Sequence, residues 1–430
     1  MSSQPNGASQ ATGANTLTAV ACSFCGLLCD DLAVAVADGA EPKVTANGCA
    51  RSRMLFAAHA GHDASPSIDG ASVPIERAIE RASEILSGAA QPLFLCAGTD
   101  VAGMRGLLEL AERTGGIFDH VNSDAVLRNL LVLQDTGWVG TTLTEVRNRC
   151  DLLLVAGSDV TRRFPRFFER CLENRESLFD VGEREILFLG AAPAGFESSH
   201  RVSVLEVALE RLGEVFAALR CLLSGRKLHA KEVAGIPLER LSGLLDRMRS
   251  ARYGVLTWAA ADLDFPHAEL AIQSACELVQ ELNRTSRFAV LPLGGTDGDV
   301  TATQTATWQS GFPLRIGFGS GAPEFDPWRY SARRLLEQRE ADAVLFVSAL
   351  DPRHHPPATQ VPTIVLGRPG TPAGGAAVHI PVATPGLHHT GHLFRTDNVV
   401  AVRLRQLAQS PWPSAGATLT RILEHLSGRA

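Results

Sequence analysis

Short apolar runs alternate with amphipathic stretches along most of this chain. Leu93-Phe-Leu-Cys96, Leu152-Leu-Leu-Val-Ala156, Glu185-Ile-Leu-Phe-Leu189, Tyr253-Gly-Val-Leu-Thr257, Phe288-Ala-Val-Leu-Pro-Leu293, Ala343-Val-Leu-Phe-Val347 and Thr363-Ile-Val-Leu366 are too short for helices. They are also too evenly apolar for strands with one wet face, and read as strands buried on both sides. Between several of them, as in 205–223 and 270–282, apolar positions recur with helical period. The clearest helix is 74–88, where Ile75, Ala78, Ile79, Ala82 and Ile85 share a face and Glu76, Arg77, Glu80 and Glu84 lie elsewhere. Alternating strand and helix predicts an α/β fold of parallel sheets covered by helices. Ligands in such folds sit past the carboxyl ends of the strands. The loops to watch are therefore 98–100, 157–159, 294–299, 349–355 and 367–375. None is a GxGxxG or Walker loop, so none is assigned to a nucleotide.

The two ends depart from this alternation. In the amino-terminal region, Leu32-Ala-Val-Ala-Val36 and Lys43-Val-Thr45 alternate like short strands around an Asp38-Gly39 turn, with a short helix expected over 51–59. Residues 376–405 also look β-rich, and a helix over 419–426 closes the chain. Residues 1–16 are small and polar without the basic start and apolar run of a signal peptide, and are expected to form a disordered tail. No apolar stretch reaches membrane-spanning length.

With 430 residues, two or three domains are expected. A net charge of −6 recommends neither a nucleic-acid nor an anionic-membrane partner. A cytoplasmic, reducing location is expected, with Cys96, Cys150, Cys171, Cys221 and Cys276 as buried free thiols.

Candidate chemistry begins with Cys22-Ser-Phe-Cys25-Gly-Leu-Leu-Cys29-Asp30-Asp31 and Cys49, a C-x2-C-x3-C-x19-C pattern. Three thiols on one loop and one returning thiol suit the corners of a four-iron cubane. A four-thiolate zinc site and a set of empty packed thiols remain open. His354-His355 and His388-His389-x-x-His392 are weaker metal candidates, because Gly386 and Gly391 argue against the helix that would align His388 with His392. Asp30 and Asp31 read as capping or solvated carboxylates, and the charged run 333–340 as a wet helix face.

The cysteine pattern placed before α/β units resembles the molybdopterin oxidoreductase superfamily. More closely, it resembles the B subunits of formylmethanofuran dehydrogenase and of its bacterial formyltransferase/hydrolase relatives. The resemblance is carried by CSFCGLLCDDL at 22–32, NGCARSR at 47–53, LQDTGW at 133–138, TEVRNRCDLLLVAGSDV at 144–160, FPR at 164–166, ATWQSGFP at 306–313 and EADAVLFVSALDP at 340–352. It implies a Cys-rich lobe over 17–72, a discontinuous αβα domain over 73–150 and 335–430, and a second, doubly wound, over 151–334. It also implies a [4Fe–4S] cluster on Cys22, Cys25, Cys29 and Cys49, and a tungsten or molybdenum bis-pterin ligated by a cysteine that precedes His-Gly-Pro.

The position expected for that ligand is Ala125, followed by Val126. Alanine cannot ligate a metal, and valine cannot act as an acid–base imidazole. Ser123 and Asp124 offer oxygen but precede the expected register, and loop 294–296 lacks the Arg and His that the resemblance implies there. No tungsten or molybdenum pterin is therefore expected. The resemblance then implies a non-catalytic B subunit of a formyltransferase/hydrolase complex. That complex carries formyl groups from tetrahydromethanopterin through methylofuran to formate. Its partners would be the metallohydrolase, the formyltransferase and the third component of the same complex, its A, D and C subunits respectively. Arg162, Arg163 and Arg166, at a strand end, are candidate contacts for the polyglutamate tail of methylofuran, with surface or intersubunit salt bridges as the plainer reading. The alternatives are an active tungsten or molybdenum enzyme interconverting CO2 and formate, and a binding module that kept only the fold.

Overall fold

The computed structural model describes residues 15–37, 40–57, 64–173 and 177–428. Two sheets organise the chain. In the larger, nine strands run in the order Glu324–Phe325, Ile316–Gly317, Ile117–His120, Pro92–Cys96, Ala343–Ser348, Thr363–Gly367, Val378–Pro381, Ser67–Ile68, Ala71–Ser72. The five central strands are parallel, and the short ones at both edges are antiparallel. The smaller sheet is all parallel, in the order Arg201–Leu205, Glu185–Leu189, Leu152–Ala156, Gly254–Trp258, Phe288–Pro292. Every residue of 92–96, 152–156, 343–348 and 363–367 is buried, which is why these runs carry no polar alternation.

Helices Ile75–Gly88, Val101–Arg113 and Ala415–Ser427 pack their apolar stripes into the core of the larger sheet. Helices Leu212–Leu223, Leu238–Ser250 and Ala268–Leu282 do the same for the smaller. Helix Ser123–Asp135 serves both, with Ala125 packed against the core of the smaller sheet and Val126, Leu127 and Leu130 against that of the larger.

The amino-terminal lobe is a three-stranded antiparallel sheet, Asn15–Val20, Leu32–Val36 and Lys43–Ala46, followed by helix Ala50–Ala57. Asn15 and Thr16 are not tail: they pair with Val36 and Ala35. Residues 1–14, the Asp38-Gly39 turn and the end of the expected 51–59 helix lie outside the described residues.

Two segments sit elsewhere than their expected domains. Residues 67–72 leave the lobe and pair along the Val378–Pro381 edge of the larger sheet. Past Phe288–Pro292, helix Asp299–Ser310 buries Ala302 and Ala306 in the larger sheet's core, and Ile316–Gly317 pairs with Ile117–His120. The smaller sheet's territory thus ends near residue 293 instead of 334, because the apolar face of 300–316 matches the first core. Among the described residues no helix is long and apolar enough to cross a membrane.

Candidate functional site

Cys22, Cys25 and Cys29 sit on the loop joining the first two lobe strands, closed by Cys22 N–H to the Cys29 carbonyl at 2.8 Å and Leu28 N–H to the Cys25 carbonyl at 3.1 Å. Cys49 precedes helix Ala50–Ala57, and the Ser52 N–H points at its Sγ from 3.4 Å. The four thiols converge. Burial pushes Cys22 up first, and the neighbouring Cys25, Cys29 and Cys49 add to the push. Burial likewise raises Cys25, and takes Cys29 to about 12. Opposing it are backbone N–H groups of Phe24 toward Cys22 and of Leu27 and Leu28 toward Cys25, with Arg51 near Cys25 and Arg170 and Arg166 near Cys29.

Donors and cations aimed at buried sulfurs favour thiolates, the form that binds metal. Among the described residues, the one trio of His, Cys, Asp or Glu whose ligand atoms all lie within 4.8 Å is elsewhere, at Asp297, Asp351 and His354. Four thiols gathered by one loop and one helix start suit a four-thiolate zinc site or a cubane.

The lobe is seated by unusual contacts. Gly26, inside the cysteine loop, lies against Gly294 and Gly295: a Cβ on Gly26 would fall 2.2 Å from the Gly294 carbonyl oxygen. Gly295 has φ +87°, and its own Cβ would fall 2.6 Å from Gly26 Cα. Loop 294–295 lacks side chains because another backbone occupies their space. Arg368, fully buried, donates to the carbonyls of Leu350 and Leu55 and lies 5.7 Å from the Phe24 ring centre. Its burial pulls the guanidinium down to about 10. Asp30 and Asp31, expected as caps or solvated groups, instead pair with helix Phe167–Cys171 and the residue before it. Asp31 takes a two-pronged contact from Arg166 at 2.7 Å, and Arg170 reaches Asp30 at 2.7 Å and Asp31 at 2.6 Å. Burial alone would raise the Asp31 carboxyl, but Arg166 and Arg170 outweigh it and hold it below the ordinary range.

At the switch point beside this lobe, Ala125 lies in the first turn of helix Ser123–Asp135. The neighbouring oxygens are committed: the Ser123 hydroxyl donates to Asp119, and Asp124 accepts from Arg315 at 2.5 Å and Arg333 at 2.9 Å.

The nearby loops are rich in charge. Arg51 bridges Asp297 at 3.4 Å and Asp351 at 3.6 Å, and His354 Nε2 lies 2.9 Å from Asp297. Asn122 reaches the Asp297 and Asp299 carboxylates at 3.3 and 3.2 Å, and His120 Nε2 lies 3.2 Å from the Asp297 carbonyl. Burial would raise Asp297, but His354, Arg51 and Asn122 hold it at about 2. His354 is raised: burial works against its charge, and Asp297 prevails. Burial, aided by Asp297, lifts Asp299 to about 7 against the N–H of Gly295 and the Asn122 amide, and burial lowers His120 to about 4.

Asp297, Asp351 and His354 have metal-ligand spacing, yet Arg51 and a two-pronged Arg353 contact to Asp351 at 2.9 and 2.6 Å already balance the carboxylates. The arrangement works as an ionic clamp joining the lobe to loops of both sheets. Beside it, a cleft of about 570 Å³ opens between helices Ser123–Asp135 and Asp299–Ser310, lined by Val126, Leu130, Asp299 and Asp397 among others. Its lining holds no cation.

Arg162 and Arg163 both bind Asp262, and Arg166 binds Asp31 and Glu169. The structure gives the three guanidiniums internal carboxylates, as the plainer salt-bridge reading expects. His392 stands on strand Gly391–Phe394 and His388 in the loop before it, so the two share no helix face. Cys221 is half-exposed, unlike the other expected buried thiols.

Sequence flagged loops 294–299 and 349–355, which hold Asp297, Asp299, Asp351 and His354. It missed His120 and Asn122, because the polar Ile117–His120 strand was not readable from its pattern, and it missed Arg51, whose partners are remote.

No protein-family model matches the chain. It is 28% identical over 410 residues to the B subunit of tungsten-containing formylmethanofuran dehydrogenase 2 from Methanocaldococcus jannaschii, covering 91% of this chain and 94% of that one. It is 27% identical over 372 residues to the B subunit of the formyltransferase/hydrolase complex Fhc from Methylorubrum extorquens, covering 84% and 97%. A chain in the crystal structure of the Methylorubrum extorquens formyltransferase/hydrolase complex (FhcABCD) with methylofuran superposes with a TM-score of 0.71 at 26% identity, covering 85% of this chain and 99% of that one. Acetylene hydratase from Pelobacter acetylenicus superposes with a TM-score of 0.64 at 8% identity, covering 96% and 69%, and shares the fold alone.

Proposed function

The chain is homologous to the B subunits of tungsten-containing formylmethanofuran dehydrogenase and of the formyltransferase/hydrolase complex, and on that premise we propose that it is a non-catalytic subunit of a formyltransferase/hydrolase assembly. The reaction served is the passage of formyl groups from tetrahydromethanopterin through methylofuran to formate. Transfer and hydrolysis of a formyl group move no electrons, so this subunit needs no redox metal. One observation carries the reading. At the turn where a tungsten ligand belongs stands Ala125, packed into a core, with Ser123 and Asp124 engaged by Asp119, Arg315 and Arg333. The ionic clamp around Asp297 and the cation-free cleft support it, since the clamp's cations are already paired and the cleft has none to offer an anionic pterin.

The same proposal gives Cys22, Cys25, Cys29 and Cys49 a [4Fe–4S] cluster, which when bound cross-links the small lobe. Arg51, Arg166 and Arg170 offset the charge of the thiolates. The partners are the metallohydrolase, the formyltransferase and the third component of the assembly.

Capture of a tagged chain from its native cells tests this. Co-purification of a zinc-dependent metallohydrolase and a formyltransferase in fixed ratio is the expected result. Co-purification with electron-transfer proteins and formate-oxidising activity would overturn it.

A further inference from the structure

Asp299, the first residue of helix Asp299–Ser310, is buried, and among the described residues no cation pairs with it. Its Oδ1 accepts the N–H of Gly295, and its Oδ2 lies 3.2 Å from the Asn122 amide nitrogen. That nitrogen has only two hydrogens to give. It also faces Asp297 Oδ2 at 3.3 Å, the Thr296 carbonyl at 3.0 Å and the Thr296 hydroxyl at 3.5 Å. One amide thus serves two carboxylates, and the nearby cations Arg51 and His354 are spent on Asp297. A carboxylate buried on such terms is costly, whereas a neutral carboxyl is not. Burial, and after it Asp297, lifts this group to about 7 against the N–H groups of Gly295 and Val300 and the Asn122 amide.

What Asp299 holds is the seat of the cysteine loop. Gly295, bonded to it, packs backbone to backbone on Gly26. Thr396 stitches the same contact: its hydroxyl accepts from the Gly294 N–H at 2.9 Å, and its N–H donates to the Gly26 carbonyl at 2.8 Å. The loop is tightly wound, with φ of +87° at Gly295, +58° at Asp297 and +70° at Gly298. For the non-glycine Asp297 that conformation stores strain. On the other side of Asp299 lies the cleft of about 570 Å³, into which its side chain can turn.

The other charged groups around Asp299 are committed or turned away. Burial holds His120 neutral, at about 4. Asp351 is bound by Arg353 and Arg51, and Asp397, also lining the cleft, by Arg395. Helix Val101–Arg113 and strand Gly391–Phe394 pack on the same helix, and they turn Arg105, Glu109, Glu112, Arg113 and His392 outward. Asp100 is taken by the Gly103 N–H at 3.1 Å.

We propose that Asp299 is a proton-operated latch on the cysteine loop. Neutral, it keeps loop 294–296 seated on Gly26. Ionised, it turns into the cleft, gives its proton to water, frees the Gly295 N–H and releases the seat. The latch stands apart from the proposed function, because no partner, metal or substrate enters it.

Hydrogen exchange of the full-length chain tests it, read by mass spectrometry on peptides spanning 22–29 and 293–298 and divided by the intrinsic rate at each pH. Protection should fall by up to about tenfold per pH unit from about pH 5 to about pH 7 and level off above, because the released carboxyl ionises near 3.8 and the seated one near 7. Asp299→Asn, which stays neutral, should show no such fall. His354→Gln, which removes the clamp's other titrating group, should keep it. The latch is overturned if the wild type is flat over this range, if Asp299→Asn falls as steeply as the wild type, or if His354→Gln abolishes the fall.

Discussion

The cysteine lobe and the switch point beside it lie in contact, yet they differ in what they keep. In the lobe, four thiols converge, with N–H donors and guanidiniums directed at them. At the switch point Ala125 stands in the first turn of its helix, and the surrounding polar groups bind one another. The difference teaches that the two have separate structural duties. The lobe is small, and its apolar residues share one core with the face of the smaller sheet turned toward it. The switch point is roofed by two full sheets, so its polar groups can close on themselves without endangering the fold.

The sharpest way to break this contrast is to remove a thiol. Cys25→Ser should reduce iron from about four per chain to near none in anaerobic preparations. Retention of full iron would sever the thiols from any cluster. By comparison, Ala125→Cys should acquire neither tungsten nor molybdenum, because the rest of the site is closed.

The clamp can be probed by pH. Asp299 titrates near 7 in the fold and near 3.8 when unfolded, so the folded state holds its proton through that window. Stability from this group is full below about pH 4 and is lost as pH rises through about 7, on the order of 4 kcal/mol. Denaturant titrations of wild type and Asp299→Asn should therefore converge or cross as pH rises, with the wild type losing ground. Parallel profiles would contradict the burial argument.

The seat of the lobe comes next in size. Gly295→Ala forces a Cβ onto Gly26 Cα at a positive φ, and should cost about 3 kcal/mol in thermal unfolding. Little change would mean that the two backbones part easily. Smallest is Arg162→Ala. Its bond to Asp262 is made from the surface and is duplicated by Arg163, so stability should move by less than about 0.5 kcal/mol.

Much of this contrast was legible in the sequence. Evenly apolar runs such as 152–156 and 343–347 announced buried parallel strands, and the cysteine spacing announced the lobe. The clamp was not: Arg51 meets Asp297 across 246 positions, and no local pattern records such a pairing. Strand Ile117–His120 was hidden because Asp119 and His120 are buried polar residues satisfied by tertiary partners. Salt bridges were the plainer reading of the arginines at 162–166, but their partners Asp262 and Asp31 were not readable because they are distant in sequence.

Metal analysis of the anaerobically purified native assembly tests the central claim most directly. The account predicts about four irons per copy of this chain with neither tungsten nor molybdenum. Tungsten or molybdenum at about one per chain would contradict it, for a redox metal would then be held where Ala125 offers no ligand.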